Sequence, residues 1–274
     1  MKIMVEFTSE KLSPAITRIR DGSDVCEYLI EGSERAALID TGYGIGDLKS
    51  FVEKLTDKPY DVFITHGHVD HASGAGQFDK VYMHPADTKV FEKHCTVEFR
   101  KAMLAERGIH PADSDFIPQR TAPFTPLADG DTFDLGGVTV QWIAVPGHTP
   151  GMIIPLIKEE RTVMFGDACG VGVLLALEES LPVETYLKSL QRLQTFEPQY
   201  DTVLRQHGTC QSTPKVLEDN INNCIRILNG TDDAEPTLLH GQPAVKACAC
   251  DPATGAPRNG QEGNIIYSKD KIHC

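Results

Sequence analysis

Short apolar runs divided by Gly, Pro and Asp turns dominate the first third of the chain. Residues 24–30 (DVCEYLI) and 36–39 (AALI) read as strands split by the turn Glu31-Gly32-Ser33, and 42–46 is a Gly-rich loop. Residues 48–55 have helical spacing, and 62–64 form a short buried strand. Residues 86–107, rich in Lys, Glu, Ala and Phe and stopped by Gly108, predict a helix or helix pair. A Pro-punctuated loop covers 111–126. Strands return at 138–145, 162–165 and 202–204, and helices at 183–193 and 214–228. Beyond Gly230 the texture turns to Gly, Pro, Asn and Asp, with two apolar pieces at 244–249 and 264–267. These predict a C-terminal hairpin, 241–274, appended to a main domain, 1–240, that carries an insertion at 86–126. Strands and helices occur in both halves without steady alternation, which favours layered α+β over a doubly wound sheet.

Length and charge narrow the function. The chain has 274 residues and a net charge of −13. It can bury a large core without disulfide staples. The acidic balance argues against broad binding to nucleic acid or anionic membranes. No apolar run approaches the roughly 20 residues of a membrane helix. The start, MKIMVEFTSEKLSP, lacks the apolar stretch of a signal peptide. The expectation is a soluble cytoplasmic protein. Its oligomeric state is open, a homodimer being compatible. The 8 cysteines are scattered, and free thiols are the default. Cys248-Ala249-Cys250 is too tight for the usual zinc pair and reads as two strand residues on one face.

Chemistry concentrates at Thr65-His66-Gly67-His68-Val69-Asp70-His71, directly after an apolar strand. Three imidazoles and a carboxylate pack poorly in a core, but together they suit zinc and other first-row divalent ions. His66 and His68 point the same way in extended backbone. Asp70 and His71 follow the bend and can face a second ion. Gly67 is expected to let the chain turn tightly between ligands. Three further strands end in a ligand-type residue: 141–145 leads to His148, 162–165 to Asp167, and 202–204 to His207. A lone histidine after a strand is usually a satisfied core or surface group. The repetition makes these a set. Asp40, before Gly42, is a candidate to fix a ligand histidine or its loop. Cys169 reads as a buried structural thiol and Trp142 as core. His84, His94, His110, His240 and His273 lack a strand-end context.

With these motifs in place, HGHVDH at 66–71, PGHTPG at 146–151, GDA at 166–168, QHG at 206–208 and LIDTG at 38–42, the sequence resembles the metallo-β-lactamase superfamily. The resemblance implies a four-layer αββα sandwich. It also implies a dinuclear centre: His66, His68 and His148 on one metal, Asp70, His71 and His207 on the other, and Asp167 bridging. Zinc is the default ion, with iron or manganese as alternatives. A bound divalent ion lowers the pKa of its water from 15.7 to about 7. A hydroxide is then available at neutral pH, with Asp70 and Asp167 the carboxylates closest to the chemistry. Two cations less these charges leave a centre of roughly +1, which favours a carboxylate, phosphate or ester oxygen near the reacting atom.

Subfamily markers differ. Lactonases that resemble this site carry a tyrosine soon after the bridging Asp, where this chain has Ala168-Cys169-Gly170-Val171. Glyoxalase II-like thioesterases carry Cys-Gly-His at the last ligand, where this chain has Arg205-Gln206-His207-Gly208. True β-lactamases usually replace the bridging Asp by Cys. The expectation is a hydrolase of a small ester, thioester, lactone or amide. The alternatives are a mononuclear iron oxygenase of the persulfide dioxygenase type and a phosphodiesterase. The segment 86–126, with Phe91, Phe99, Met103, Phe116 and Phe124, is expected to wall the pocket together with the hairpin after Gly241, and to select the substrate.

Overall fold

The computed structural model describes residues 6–23 and 25–274. The first five residues of the start read above, and Asp24 of the first strand, lie outside the described residues. By internal contacts the chain forms two compact units, Met1–Gln141 with Gln206–Gly208, and Trp142–Arg205 with Thr209–Cys274.

In the first unit a seven-stranded sheet runs in sequence order. It comprises β1 (Thr8–Lys11), β2 (Ile16–Arg20), β3 (Cys26–Glu31), β4 (Ala36–Ile39), β5 (Tyr60–Ile64), β6 (Val81–Met83) and β7 (Thr125–Pro126). β1 to β4 are antiparallel neighbours, and β4 to β7 are parallel. Helices α1 (Leu48–Leu55), α2 (Val69–Ala72), α3 (Thr88–His94) and α4 (Val97–Glu106) complete this part. α1 starts where Asp47 accepts from the Ser50 N–H at 2.9 Å, and it buries Leu48 and Val52. α4 starts at Thr96, which accepts from the Phe99 N–H, and ends at Gly108 with φ 72°. The segment 86–107 is therefore a helix pair. β8 (Thr132–Asp134) pairs antiparallel with the beginning of β9 (Thr139–Ala144).

The core of this unit has two parts. One lies between sheet and α1, with Leu29, Leu38, Val52, Val62 and Ile64. The other gathers Val25, Tyr43, Ile45, Val69, Leu104 and Phe116. Arg100 is fully buried and donates to the carbonyls of Gly44 (3.2 Å) and Ile117 (2.7 Å), tying the 42–46 loop to the 111–126 loop.

In the second unit β10 (Ile153–Ile157), β11 (Thr162–Met164), β13 (Thr202–Leu204) and β14 (Gln211–Ser212) form a sheet ordered β14-β13-β11-β10, with the end of β9 beside β10. Trp142, in that end of β9, is fully buried. A second sheet runs β12 (Val173–Leu175), β17 (Ile265–Tyr267), β16 (Gln242–Lys246), β15 (Glu235–Leu239). Helices α5 (Val183–Gln194) and α6 (Val216–Leu228) belong to the same unit. α5 buries Val183, Tyr186, Leu190 and Leu193, the spacing of one helical face.

The expected C-terminal hairpin is more deeply built in than its composition suggests. β16 and β17 are antiparallel, Val245 facing Tyr267, but β17 also pairs in parallel with β12. Val245, Ala247, Ile265 and Tyr267 join one core with α5 and α6 residues. Cys248 and Cys250 are not two residues of one strand; they follow β16, Cys248 in a bend and Cys250 in an isolated bridge to Pro257. Cys248 is buried, with its Sγ 3.0 Å from Asn223 Oδ1. All the cysteines are free thiols. Among the described residues no helix is long and apolar enough to cross a membrane.

Candidate metal centre

Parallel strands present the residues that follow them at one edge, and ligand sites in such sheets form there. β5 ends at Ile64, and Thr65 to His71 follow at once. The rings of His66 and His68 lie 4.7 Å apart, and those of His66 and His71 4.2 Å apart. The one-turn helix α2 carries Asp70 and His71. His207 is brought beside them by a bridge from its backbone to Val25, with the Cys26 N–H donating to the Gln206 carbonyl at 2.9 Å. The three donors Asp70, His71 and His207 offer atoms that all lie within 4.8 Å of one another. The Nε2 atoms of His71 and His207 are 3.2 Å apart, and His207 Nε2 is 3.5 Å from Asp70 Oδ2.

This donor set fits a divalent ion. Two imidazole nitrogens bonded at 2.0–2.1 Å to a tetrahedral ion are about 3.3 Å apart. The tautomer is set as well. Asp40 accepts from His71 Nδ1 at 2.9 Å, so the lone pair of the neutral ring is on Nε2, the atom facing His207. Asp40 also accepts from the Thr65 N–H at 2.8 Å and from Gln206 Nε2 at 3.2 Å. One fully buried carboxylate therefore ties together β4, the HGHVDH segment and the QHG segment. Its backbone has φ 63°, a left-handed conformation that Asp tolerates better than most side chains.

His148 and Asp167 belong to the second unit, where they come together, His148 Nε2 lying 3.5 Å from Asp167 Oδ2. The same device recurs. His148 Nδ1 is 2.9 Å from the Leu174 carbonyl of β12, which leaves the lone pair of the neutral ring on Nε2. Tyr186 supports both turns. Its ring occupies the space a Cβ at Gly147 would need, 2.3 Å from Cδ2, and its hydroxyl donates to the Ala168 carbonyl at 2.8 Å.

Gly67 serves a different purpose from the one its sequence suggests. It is not among the residues with positive φ. A Cβ there would lie 2.7 Å from the Phe91 nitrogen and 2.8 Å from the Asp87 carbonyl oxygen, so glycine allows the α3 segment to approach. The Gly67 N–H donates to Asp87 Oδ2 at 2.8 Å. Asp87 was not visible as a site residue, nor was His94, whose ring stacks on His68 at 4.8 Å and 24°. Phe99 packs on His94 in turn. Cys169 is buried as expected, and burial pushes its thiol up to about 12. Burial also raises Glu27 well above the usual carboxylate range, with Asp21 adding to the shift.

The insertion divides into two roles. Phe116 is buried in the cluster that contains Val69, inside the ligand motif. Phe124 packs edge-on against Phe91 and joins the sheet core instead.

The chain belongs to the metallo-beta-lactamase superfamily, whose family model matches residues 28–207. Within the region that model matches lie histidines and aspartates grouped closely enough to hold a metal ion. Among curated proteins the chain is similar to the acyl-coenzyme A thioesterase MBLAC2 of Bos taurus, 27% identical over 61% of this chain. The match spans 66% of that relative, slightly less than two thirds of its length. It is also 23% identical to the probable polyketide biosynthesis zinc-dependent hydrolase BaeB of Bacillus velezensis, over 74% of this chain and 81% of that one. Among solved structures, the metallo-beta-lactamase from Pontibacter korlensis superposes with a TM-score of 0.56 at 17% identity, covering 79% of this chain and 98% of that one. That likeness shows the fold, the αββα class expected from the sequence.

Proposed function

We propose that the chain hydrolyses small-molecule thioesters or esters at a dinuclear zinc centre. In this reading His66, His68 and His148 hold one ion, Asp70, His71 and His207 hold the other, and Asp167 bridges. The observation that carries it is the Asp70–His71–His207 group, with the His71 tautomer fixed by Asp40. Bound divalent ions supply Lewis acidity and an activated water at such a centre. The protein's own part is to hold donors in the ligating tautomer: Asp40 for His71, and the Leu174 carbonyl for His148. Asp167, about a fifth exposed and 3.5 Å from His148 Nε2, would give its carboxylate oxygens to the two ions in this reading. The names of the two curated relatives, a thioesterase and a zinc-dependent hydrolase, support the choice of thioester and of zinc.

Part of the insertion serves this reading as a wall. The ring column His68–His94–Phe99 carries apolar surface outward from a ligand, and Phe99 and Met103 are half-buried there. Phe116 is a prop beneath it, and Phe124 has no part in it.

The test is metal analysis of the purified protein combined with a panel of thioesters, esters, lactones and phosphodiesters. Thioester or ester cleavage that is lost on chelation and restored by zinc is expected. Cleavage confined to phosphodiesters, or oxygen consumption with a persulfide, would overturn the proposal.

A further inference from the structure

Arg107 follows the last turn of α4, where the chain bends towards Gly108. Its guanidinium is held on two sides. Nη1 donates to the Ser23 carbonyl at 3.2 Å, and the group lies over the Tyr43 ring, 5.3 Å from its centroid. Nη2 is 4.0 Å from Asp70 Oδ2, close enough for attraction but beyond a hydrogen bond. Among the described residues, no protein acceptor takes the Nε and Nη2 donors. That pair is one edge of the guanidinium fork, the geometry that matches a carboxylate or phosphate with two parallel bonds. The side chain is 36% exposed, and its neighbours Asp70 and His207 are 13% and 28% exposed. A ligand reaching the exposed side of the Asp70–His71–His207 group therefore meets this edge.

The placement is specific. The protein carries a net charge of −13, and exposed carboxylates elsewhere could have engaged this arginine. Instead it is steered by a backbone carbonyl and an aromatic ring, which restrict its position, and its ion pair with Asp70 is a long one at 4.0 Å. Asp70, the described carboxylate that pairs with it, would give its charge to an ion bound by the Asp70–His71–His207 group.

We propose that Arg107 is an anion subsite that pairs with a carboxylate or phosphate on the substrate, close to the bond being cut. This rests on the hydrolase reading above and narrows it to substrates that are anionic beside the reacting carbonyl. The bland alternative is that Arg107 only steadies Asp70.

Binding of two thiols to the zinc-loaded protein, measured by calorimetry, separates these. Mercaptopropionate and mercaptoethanol present the same zinc-binding group, and only the first carries a carboxylate. The wild type is expected to prefer mercaptopropionate about tenfold or more, the scale of one charge-assisted pair. In Arg107→Met that preference collapses to near unity, and Arg107→Lys retains part of it. A parallel comparison of kcat and KM on a neutral and a carboxylate-bearing thioester should place the loss in KM for the anionic substrate. Equal weakening of both thiols in Arg107→Met would mean that the residue acts only through Asp70. An unchanged preference would mean that there is no subsite. Either result overturns the proposal while the hydrolase reading stands. If neither thiol binds the zinc-loaded wild type, no ligand reaches the metal beside Arg107, and the subsite is refuted.

Discussion

Replacing Asp40 by Asn tests whether the metal centre depends on a single buried carboxylate. The Thr65 N–H, His71 Nδ1 and Gln206 Nε2 converge on its two oxygens at 2.8, 2.9 and 3.2 Å. Asn keeps the shape and tolerates the backbone at φ 63°, so strain is not introduced. It has only one acceptor oxygen. If that oxygen serves Thr65, the amide NH2 faces His71 Nδ1, and the ring must move its proton to Nε2. A protonated Nε2 cannot ligate a metal. If the oxygen serves His71, the NH2 opposes the buried Thr65 N–H, which costs about 1–3 kcal/mol. Loss of such a supporting partner lowers metal affinity by about 10–100-fold, and at 1.4 kcal/mol per tenfold the two scales agree. Asp40→Ala is the poorer test. It leaves every donor unsatisfied and adds roughly 1–2 kcal/mol of backbone strain, in a protein whose whole stability is of order 5–15 kcal/mol. The assay is competition for zinc between the purified variant and a chromophoric chelator, with thermal melting of the metal-free protein as the control for folding. An Asp40→Asn variant that holds zinc as tightly as the wild type would refute the reasoning.

Asp167→Ala is expected to lower metal content and hydrolysis at least 10–100-fold with the fold retained, and elemental analysis beside circular dichroism checks it. Gly67→Ala places a Cβ within 2.8 Å of two backbone atoms near α3, so a loss of about 1–3 kcal/mol in melting experiments is expected, together with weaker zinc binding. Burial raises the Glu27 carboxyl; a group with a raised folded pKa contributes stability at low pH that is lost as pH rises through that pKa. Glu27→Gln removes that loss, so it should raise the melting temperature more at about pH 8 than at about pH 4, and the reverse order would exclude a buried carboxylic acid there.

Much of this was legible because the elements that deliver ligands are short, apolar and sharply punctuated. The strand at 202–204, helix 48–55 and the HGHVDH segment after β5 could be read almost residue by residue. β1 could not, since all of Thr8–Lys11 is exposed and shows no alternation. β10 was missed because Pro155 interrupts a run that is otherwise fully buried, and proline inside a strand argues against one. His94 and Asp87 were missed for another reason. Their roles come from contacts with His68 and Gly67, twenty or more residues away in the chain, and no local pattern encodes them. Tyr186 is similar. On α5 it reads as one more core residue, but its ring explains Gly147 and its hydroxyl holds the turn after Asp167.

The C-terminal segment gains a purpose from the same kind of contact. Leu174, whose carbonyl faces His148 Nδ1, sits in β12, and β12 is held in register by β17, with Leu174 beside Ile266. Lys271, just beyond β17, donates to the carbonyls of Leu177, Glu178 and Ser180. Ser180 in turn donates from its hydroxyl to the His148 carbonyl at 3.0 Å. Two routes thus run from the last ten residues to His148, one fixing its ring and the other its backbone. In the first unit a carboxylate does this for His71; in the second a β-strand edge does it for His148. A backbone carbonyl cannot be removed by substitution, but the strand that presents it can be displaced. The texture change beyond Gly230 therefore marks a part of the fold on which the tautomer of His148 depends.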